Sequence, residues 1–463
     1  MQKNKVLILG AGCTGLSAGW RLARKGFKVT IIEQNSRPGG IGGGVVIDGN
    51  IFEYGPHVFH SSDQEILDDI KNILKNDLMP FNRTIKIKFL GEYFNFPLTV
   101  RDIFSKLSIG TVVSAALSFF YHSFRGLFIK PKQENAETVL ITSYGKVLYN
   151  LFFKNYIEHV WGVEPKYFSA DFARQRIPKL DIIKFLETIS SKIKLKRHAR
   201  IKTDNFVEKV EGALYGTRKG FAGITDKICA EIVNLGGTVH FGAVVKNIIY
   251  DNGEVKSVVY NKDGKDFTEE ADAVISTIPV NQMVSMLSPQ APRNVIEAAN
   301  NLRYRALVFV GVLVARPKVL PASFMYFREL SFNRITDLSY FGVDINRPDS
   351  TILIAEICCD KKDTYWKDDE AAKSIVLDEL EKEGLIKSAE VAQCHVYRLE
   401  HAYPMYLLNY KPNLNTVYNF VNSISGLKSI GRQGGFNYIN SHVAMRIGYD
   451  TADDVIGLLS GKS

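Results

Sequence analysis

Three glycines, Gly10, Gly12 and Gly15, stand in G-x-G-x-x-G spacing, and a carboxylate, Glu33, follows them. Glycine at the first position permits a tight turn, at the second a close approach of backbone to a pyrophosphate, and at the third close packing of helix on strand. An acid about 20 residues further on can accept hydrogen bonds from the hydroxyls of an adenosine ribose. The chemistry this set could serve is the binding of a dinucleotide. Thr14 inside the turn and Gln34 beside the acid belong to the same candidate group.

Other chemistries find little support in the residue types. The five cysteines, Cys13, Cys229, Cys358, Cys359 and Cys394, include no C-x-x-C pair. They read as reduced thiols of a cytoplasmic protein, with no metal site expected. No P-loop occurs, and the N-terminus runs straight into an apolar run with no signal-peptide pattern. The net charge of +9 is not gathered into a compact basic block, and no nucleic-acid motif accompanies it. It suits an anionic small molecule, an anionic membrane surface or a plain solvated surface.

The elements that must hold the glycines and the acid can be read around them. Val6-Leu7-Ile8-Leu9 predicts a buried parallel strand. A helical pattern through Leu16, Ala18, Leu22 and Ala23 closes at Gly26, and a second strand, Val29 to Ile32, ends on Glu33. Strand, turn, helix and strand are therefore in register with the motif, which is the context a dinucleotide site requires. A chain of 463 residues is expected to divide into two or more units. Val45 to Phe52 predicts a hairpin turning at Asp48-Gly49. Leu107 to Phe124 carries no charge. Its alternatives are a buried helix, an interfacial helix giving peripheral membrane contact through 107–130, and a span, against which its serines and threonines argue.

Past the acid, Arg37-Pro38-Gly39-Gly40 completes an E-x-x-x-x-x-G-G pattern that resembles FAD-binding proteins of the amine oxidase type. Tyr54-Gly55-Pro56-His57-Val58-Phe59-His60 resembles the segment by which UDP-galactopyranose mutases place a histidine beside the flavin ring. Val160-Trp161-Gly162, Phe168-Ser169-Ala170 and Arg174 to Pro178 resemble a block shared by those mutases and the protoporphyrinogen-oxidase-like flavoproteins. Arg334-Ile335-Thr336-Asp337 resembles the mutase segment whose arginine binds a substrate diphosphate, and Tyr403-Pro404 a segment bordering the flavin pocket. Gly431-Arg432-Gln433-Gly434-Gly435-Phe436-Asn437-Tyr438 resembles the C-terminal flavin motif of the same group. Two departures stand out. Lys179-Leu180 replaces the further arginine that follows R-x-P in the mutases, and Asn440 and His442 stand where the mutases carry aspartates.

The resemblance implies an α/β flavoprotein with a Rossmann-type FAD domain and an interleaved substrate domain of helices and sheet. The FAD domain is expected over 1–60, 210–285 and 395–463, and the substrate (cap) domain over 61–209 and 286–394. It implies catalytic or substrate-side roles for His57, Arg334, Tyr438, Trp161 and Tyr403. Cofactor contacts are implied for Gly10, Gly12, Thr14, Gly15, Glu33, Gln34, Arg37, Gly39, Gly40, His57, Val245, Gly431, Arg432, Phe436, Asn440 and Ser441. The implied activity is that of an FAD-dependent enzyme acting, without net redox, on a nucleotide- or lipid-linked sugar of glycan biosynthesis. The alternatives are a net oxidase or dehydrogenase of the protoporphyrinogen or amine oxidase type, and a flavin-binding protein without chemistry.

Overall fold

The four residues Val6 to Leu9 are wholly buried, as a strand covered on both faces must be. In the computed structural model, which describes residues 4–96, 102, 105–129, 131–177 and 213–461, the strand Lys5–Leu9 is the middle of a five-stranded parallel sheet. Its neighbours are Ala273–Ser276 on one side and Lys28–Ile32 on the other, with Leu427–Ser429 and Thr238–His240 at the edges. The sheet thus gathers segments from across the chain around the glycine turn. The helix Cys13–Arg24 buries Leu16, Ala18 and Leu22 against this sheet and packs along the C-terminal helix Ser441–Ser460 and the helix Ala222–Asn234.

A seven-stranded mixed sheet forms the second layer system. Its order is Val391–Pro404, Tyr304–Val314, Thr351–Cys359, Arg334–Asp337, Phe324–Phe327, Ile85–Phe89 and Glu92–Asn95. Tyr304–Val314 is an almost uninterrupted run of apolar residues, buried along its length because strands flank it on both sides and its faces are covered. The strand Val391–Pro404 pairs with it throughout and crosses the expected boundary at residue 395 without a break. The Asp48-Gly49 hairpin forms as expected, Gly44–Ile47 against Asn50–Glu53, with both turn residues at positive φ (49° and 76°) as a tight two-residue turn demands.

The uncharged stretch becomes the helix Ile109–Phe128, started by Ser108, whose side chain accepts the Thr111 N–H at 3.3 Å. It is not a buried helix. Val112, Ala115 and Phe119 are buried, while Ile109, Leu117, Phe124 and Phe128 are exposed. Among the described residues no helix is long and apolar enough to cross a membrane. The helix Ala136–Leu148 packs on it, then leads through a π-helical turn, Tyr149–Lys154, to Asn155–Trp161. Lys179, the Pro97-Leu98 step and the basic stretch 181–208 lie outside the described residues.

Candidate active site

Gly12 precedes the helix Cys13–Arg24, and no side chain caps that helix, so its first N–H groups face outward from the end of the sheet. The Gly39-Gly40 loop is drawn against the same turn: Gly39 N donates to Ala11 O at 2.8 Å. A Cβ built on Gly12 would meet nothing nearer than Gly40 Cα, at 3.9 Å. That is a cradle between two backbones which a side chain would fill. At the strand end Glu33 is buried, its carboxylate accepting Ala11 N–H at 2.7 Å and Asn35 N–H at 2.8 Å. The two bonds fix the carboxylate and leave lone pairs for ribose hydroxyls. Burial raises its pKa, against the pull of those N–H groups.

The other cofactor candidates lie around this line. Thr14 is buried beneath Gly431, whose Cβ position would fall 2.5 Å from Thr14 Oγ1. The strand carrying Val245 runs beside the acid, with Ala243 N donating to Glu33 O at 2.9 Å, and Val245 itself is buried. Ser441 begins the C-terminal helix, and the exposed Asn440 precedes it, offering only its backbone oxygen to Ala444 N at 2.9 Å. The remaining three candidates have the following surroundings. Gln34 is exposed, Arg37 pairs with Asp226 at 2.9 Å, and Phe436 is buried in an aromatic core with Tyr304 and Tyr410. A ring with no polar handle is most stable there.

The segment carrying His57 and the strand carrying Arg334 meet. The Cβ position of Gly55 lies 3.2 Å from Arg334 Nη2 and 2.9 Å from Glu356 Oε1. His57 sits half-buried against Phe221, its Nδ1 buried without a hydrogen-bond partner. Burial, with the positive charges of Arg334 and Arg432, pushes the imidazole pKa down to about 3, so His57 is neutral across the physiological range.

Arg334 donates from Nε and Nη2 to the two oxygens of Glu356, at 2.6 and 2.7 Å, and Glu356 is wholly buried. Burial opposes a charge on the guanidinium, but the attraction of Glu356 outweighs it and Arg334 stays protonated. The register of the sheet makes this pair, since Arg334 and Glu356 are directly opposed across adjacent antiparallel strands. An arginine expected to meet a substrate anion therefore already holds a carboxylate of its own, and its Nη2 reaches Tyr403 Oη at 3.5 Å.

Tyr403, Trp161 and Tyr438 come together, with Tyr403 centred 5.6 Å from each of the other two rings. Trp161 is held by Phe168 and Phe172, and by Arg305, whose Nε donates to Val160 O at 2.9 Å. Two further arginines cover these rings. The Arg176 guanidinium carbon lies 3.7 Å from the Tyr438 centroid and 4.1 Å from that of Trp161, and Arg432 lies 4.2 Å from Tyr438. Arg432 donates to Ile439 O at 3.0 Å, but among the described residues its buried Nε, like the buried Nε and Nη2 of Arg176, has no hydrogen-bond partner. Among the described residues neither arginine has a carboxylate. Burial lowers the Arg176 pKa to about 10. Burial would raise the Tyr438 phenol, but Arg432, Arg176 and Arg334 together lower it.

Sequence reasoning gave Arg176 no role and missed Glu356. The signal for Glu356 was its isolation, as the one acid in the apolar run Thr351–Cys359, where a buried charge must have a partner. His60 packs on His442, with ring centroids 4.6 Å apart. Among the described residues no His, Cys, Asp and Glu cluster could hold a metal ion.

The fold and parts of the sequence are shared with known proteins. A probable UDP-galactopyranose mutase of Klebsiella pneumoniae is 27% identical over 184 residues, 38% of this chain and 46% of that protein. A dTDP-fucopyranose mutase of Escherichia coli is 26% identical over 183 residues, again 38% and 46%. The aligned part is thus about half the length of these curated relatives. The crystal structure of a reduced UDP-galactopyranose mutase superposes with a TM-score of 0.81 over 99% of this chain and 95% of that one, at 20% identity, which establishes a common fold. The model of the flavin-containing amine oxidoreductase family matches residues 13–405, and the chain belongs to that family.

Proposed function

We propose that this protein is an FAD-dependent enzyme that isomerises the sugar of a sugar nucleotide in glycan biosynthesis. The observation that carries the reading is a pair of guanidinium groups that meet no carboxylate among the described residues, Arg176 and Arg432, held over a wall of Trp161, Tyr403 and Tyr438. Buried cations without counter-charges are costly until an anion arrives. Two anions would satisfy them, the pyrophosphate of FAD at Arg432 and the diphosphate of a substrate at Arg176. The mutase relatives support the sugar nucleotide as substrate class.

FAD fits the residues present. The Gly12–Gly40 cradle and Arg432 would take its pyrophosphate, Glu33 its ribose, and Gly431 and the start of the helix Ser441–Ser460 the flavin end. When bound, FAD supplies the two-electron and nucleophilic chemistry that side chains lack. The chain supplies position and charge. His57, neutral, offers a hydrogen bond at the flavin side without adding a positive charge. The aromatic wall excludes water, which strengthens each electrostatic contact to the substrate. Arg334, tied to Glu356, holds Tyr403 and the Gly55 segment in place more than it holds substrate.

The same reading assigns FAD binding to 1–60, 210–285 and 395–463 and substrate binding to 61–209 and 286–394, with the strand Val391–Pro404 as their junction. A cytoplasmic location agrees with five free thiols. The assignment of Arg176 is tested by titrating UDP into the FAD-loaded protein. Arg176→Ala should weaken UDP by about 10- to 100-fold, the weight of one or two hydrogen bonds to a charged group, while flavin content stays stoichiometric. Unchanged UDP affinity would remove Arg176 from the substrate site.

A further inference from the structure

We propose that the exposed face of the helix Ile109–Phe128 docks onto the surface of an anionic lipid bilayer. The helix is apolar on two sides. Its inner side, Val112, Ala115 and Phe119, is buried against the helix Ala136–Leu148. Its outer side presents Ile109 (84% exposed), Val113, Leu117 (67%), Phe120, Phe124 (66%) and Phe128 (72%). Steps of four, four, three, four and four residues place these six on one continuous stripe. Burying one such stripe in the fold while leaving a second in water has no stabilising return in an isolated chain, and a patch of this kind marks a docking surface.

Charge selects the occupant. No Asp or Glu occurs between Asp102 and Glu134. Arg125 near the end of the helix, Lys132 just beyond it and Lys146 beside it are all exposed. Among the described residues none of the three forms an ion pair. The lowered pKa of His122, caused by burial and then by Arg125 and Lys146, reports that the two cations share its surroundings. An apolar stripe with basic residues around it and an exposed tyrosine, Tyr121, beside it is matched by acyl chains under anionic headgroups. A second copy of the chain is a poorer match. The stripe measures about 30 by 10 Å, well below the ~800 Å² per partner of a standard interface, and pairing would bring together two sets of cations with no acid between them. The helix lies on the bilayer and does not enter it as a span.

This inference does not rest on the enzyme's substrate, so its test leaves the proposed function untouched. The FAD-loaded, full-length protein is sedimented with vesicles of phosphatidylcholine alone and with vesicles containing phosphatidylglycerol. Sedimentation velocity without lipid is run in parallel. The protein should pellet with the phosphatidylglycerol vesicles, and added salt should release much of it. The variant Leu117→Glu/Phe124→Glu should lose at least about tenfold in partitioning with flavin content and Tm unchanged, because both side chains are exposed. Arg125→Glu/Lys132→Glu should lose the salt-sensitive part. Failure to pellet with either vesicle, or undiminished pelleting of Leu117→Glu/Phe124→Glu, would overturn the proposal. A lipid-free dimer that this variant abolishes would overturn it in favour of self-association.

Discussion

Arg334 and Arg176 bring the same charge to the same pocket, yet among the described residues only Arg334 meets a carboxylate. Their substitutions should therefore fail differently. Arg334→Ala leaves Glu356 charged or forcibly protonated in a wholly buried place, and should cost about 3–5 kcal/mol of stability. Replacing both partners, Arg334→Met with Glu356→Leu, should restore most of the lost Tm without restoring turnover. Thermal denaturation of the three proteins checks this; a fully stable Arg334→Ala would show the pair to be incidental. The glycines divide in the same way. A Cβ at Gly15 would collide with the Gly10 carbonyl, whereas a Cβ at Gly12 meets open space. Gly12→Val should fold and lose FAD, while Gly15→Val should lose the fold itself. Stoichiometric flavin in purified Gly12→Val would refute the cradle. These positions also show what a sequence can disclose at this scale. The glycines and Glu33 announce themselves by short-range spacing, and His57 only by the resemblance of its segment. The engagement of Arg334 does not, because its partner is 22 residues away and is chosen by strand register.

Among the elements, the strand-turn-helix-strand around Gly10–Gly15 and the Asp48-Gly49 hairpin were legible because local pattern and final burial agree. The helix Ile109–Phe128 was legible as a helix but not in its exposure, since an apolar residue has the same period whether its face meets protein or lipid. A less visible link joins the hairpin to the helix Ala222–Asn234. Glu53 ends the hairpin, is wholly buried and accepts the Phe221 N–H at 2.6 Å, while its Oε2 has no partner. Burial lifts its pKa from 4.5 to about 8 against the opposing N–H groups of Phe221 and Ala222 and the charge of Arg37. Raised in the folded state, this carboxyl stabilises most below its unfolded pKa. The contribution falls as pH rises through 4.5 toward about 8. Glu53→Gln should therefore show a flatter dependence of Tm on pH across that window. An identical slope for the two proteins would mean that Glu53 is already ionised in the fold.

At the scale of the molecule, the parallel sheet that carries the glycine turn and the mixed sheet that carries Arg334 and Tyr403 are joined by the Tyr54–His60 segment, with Gly55 against Arg334 and Phe59 buried in the apolar core that holds Val6, Ile8 and Ile31 of the parallel sheet. That junction sets a cofactor cleft against an aromatic, cation-rich chamber. The two-unit plan was readable from motif order. The chamber was not, because Trp161, Arg176, Arg334, Tyr403 and Tyr438 come from four separate stretches of chain that meet only in three dimensions. The departures at Asn440 and His442 bear on this scale too. Asn440 is exposed at the entry to the C-terminal helix and His442 is packed on His60, so neither adds a negative charge to the chamber proposed to take an anion. On the proposed function, this chamber rearranges the sugar of a sugar nucleotide with no net transfer of electrons. The most direct test incubates the chemically reduced, FAD-loaded protein anaerobically with UDP-galactopyranose, UDP-galactofuranose or dTDP-fucopyranose, followed by chromatography. Interconversion of pyranose and furanose forms is expected from the reduced protein and none from the oxidised protein. Absence of interconversion, together with bleaching of the oxidised flavin by the same sugars, would contradict it and show net oxidation instead.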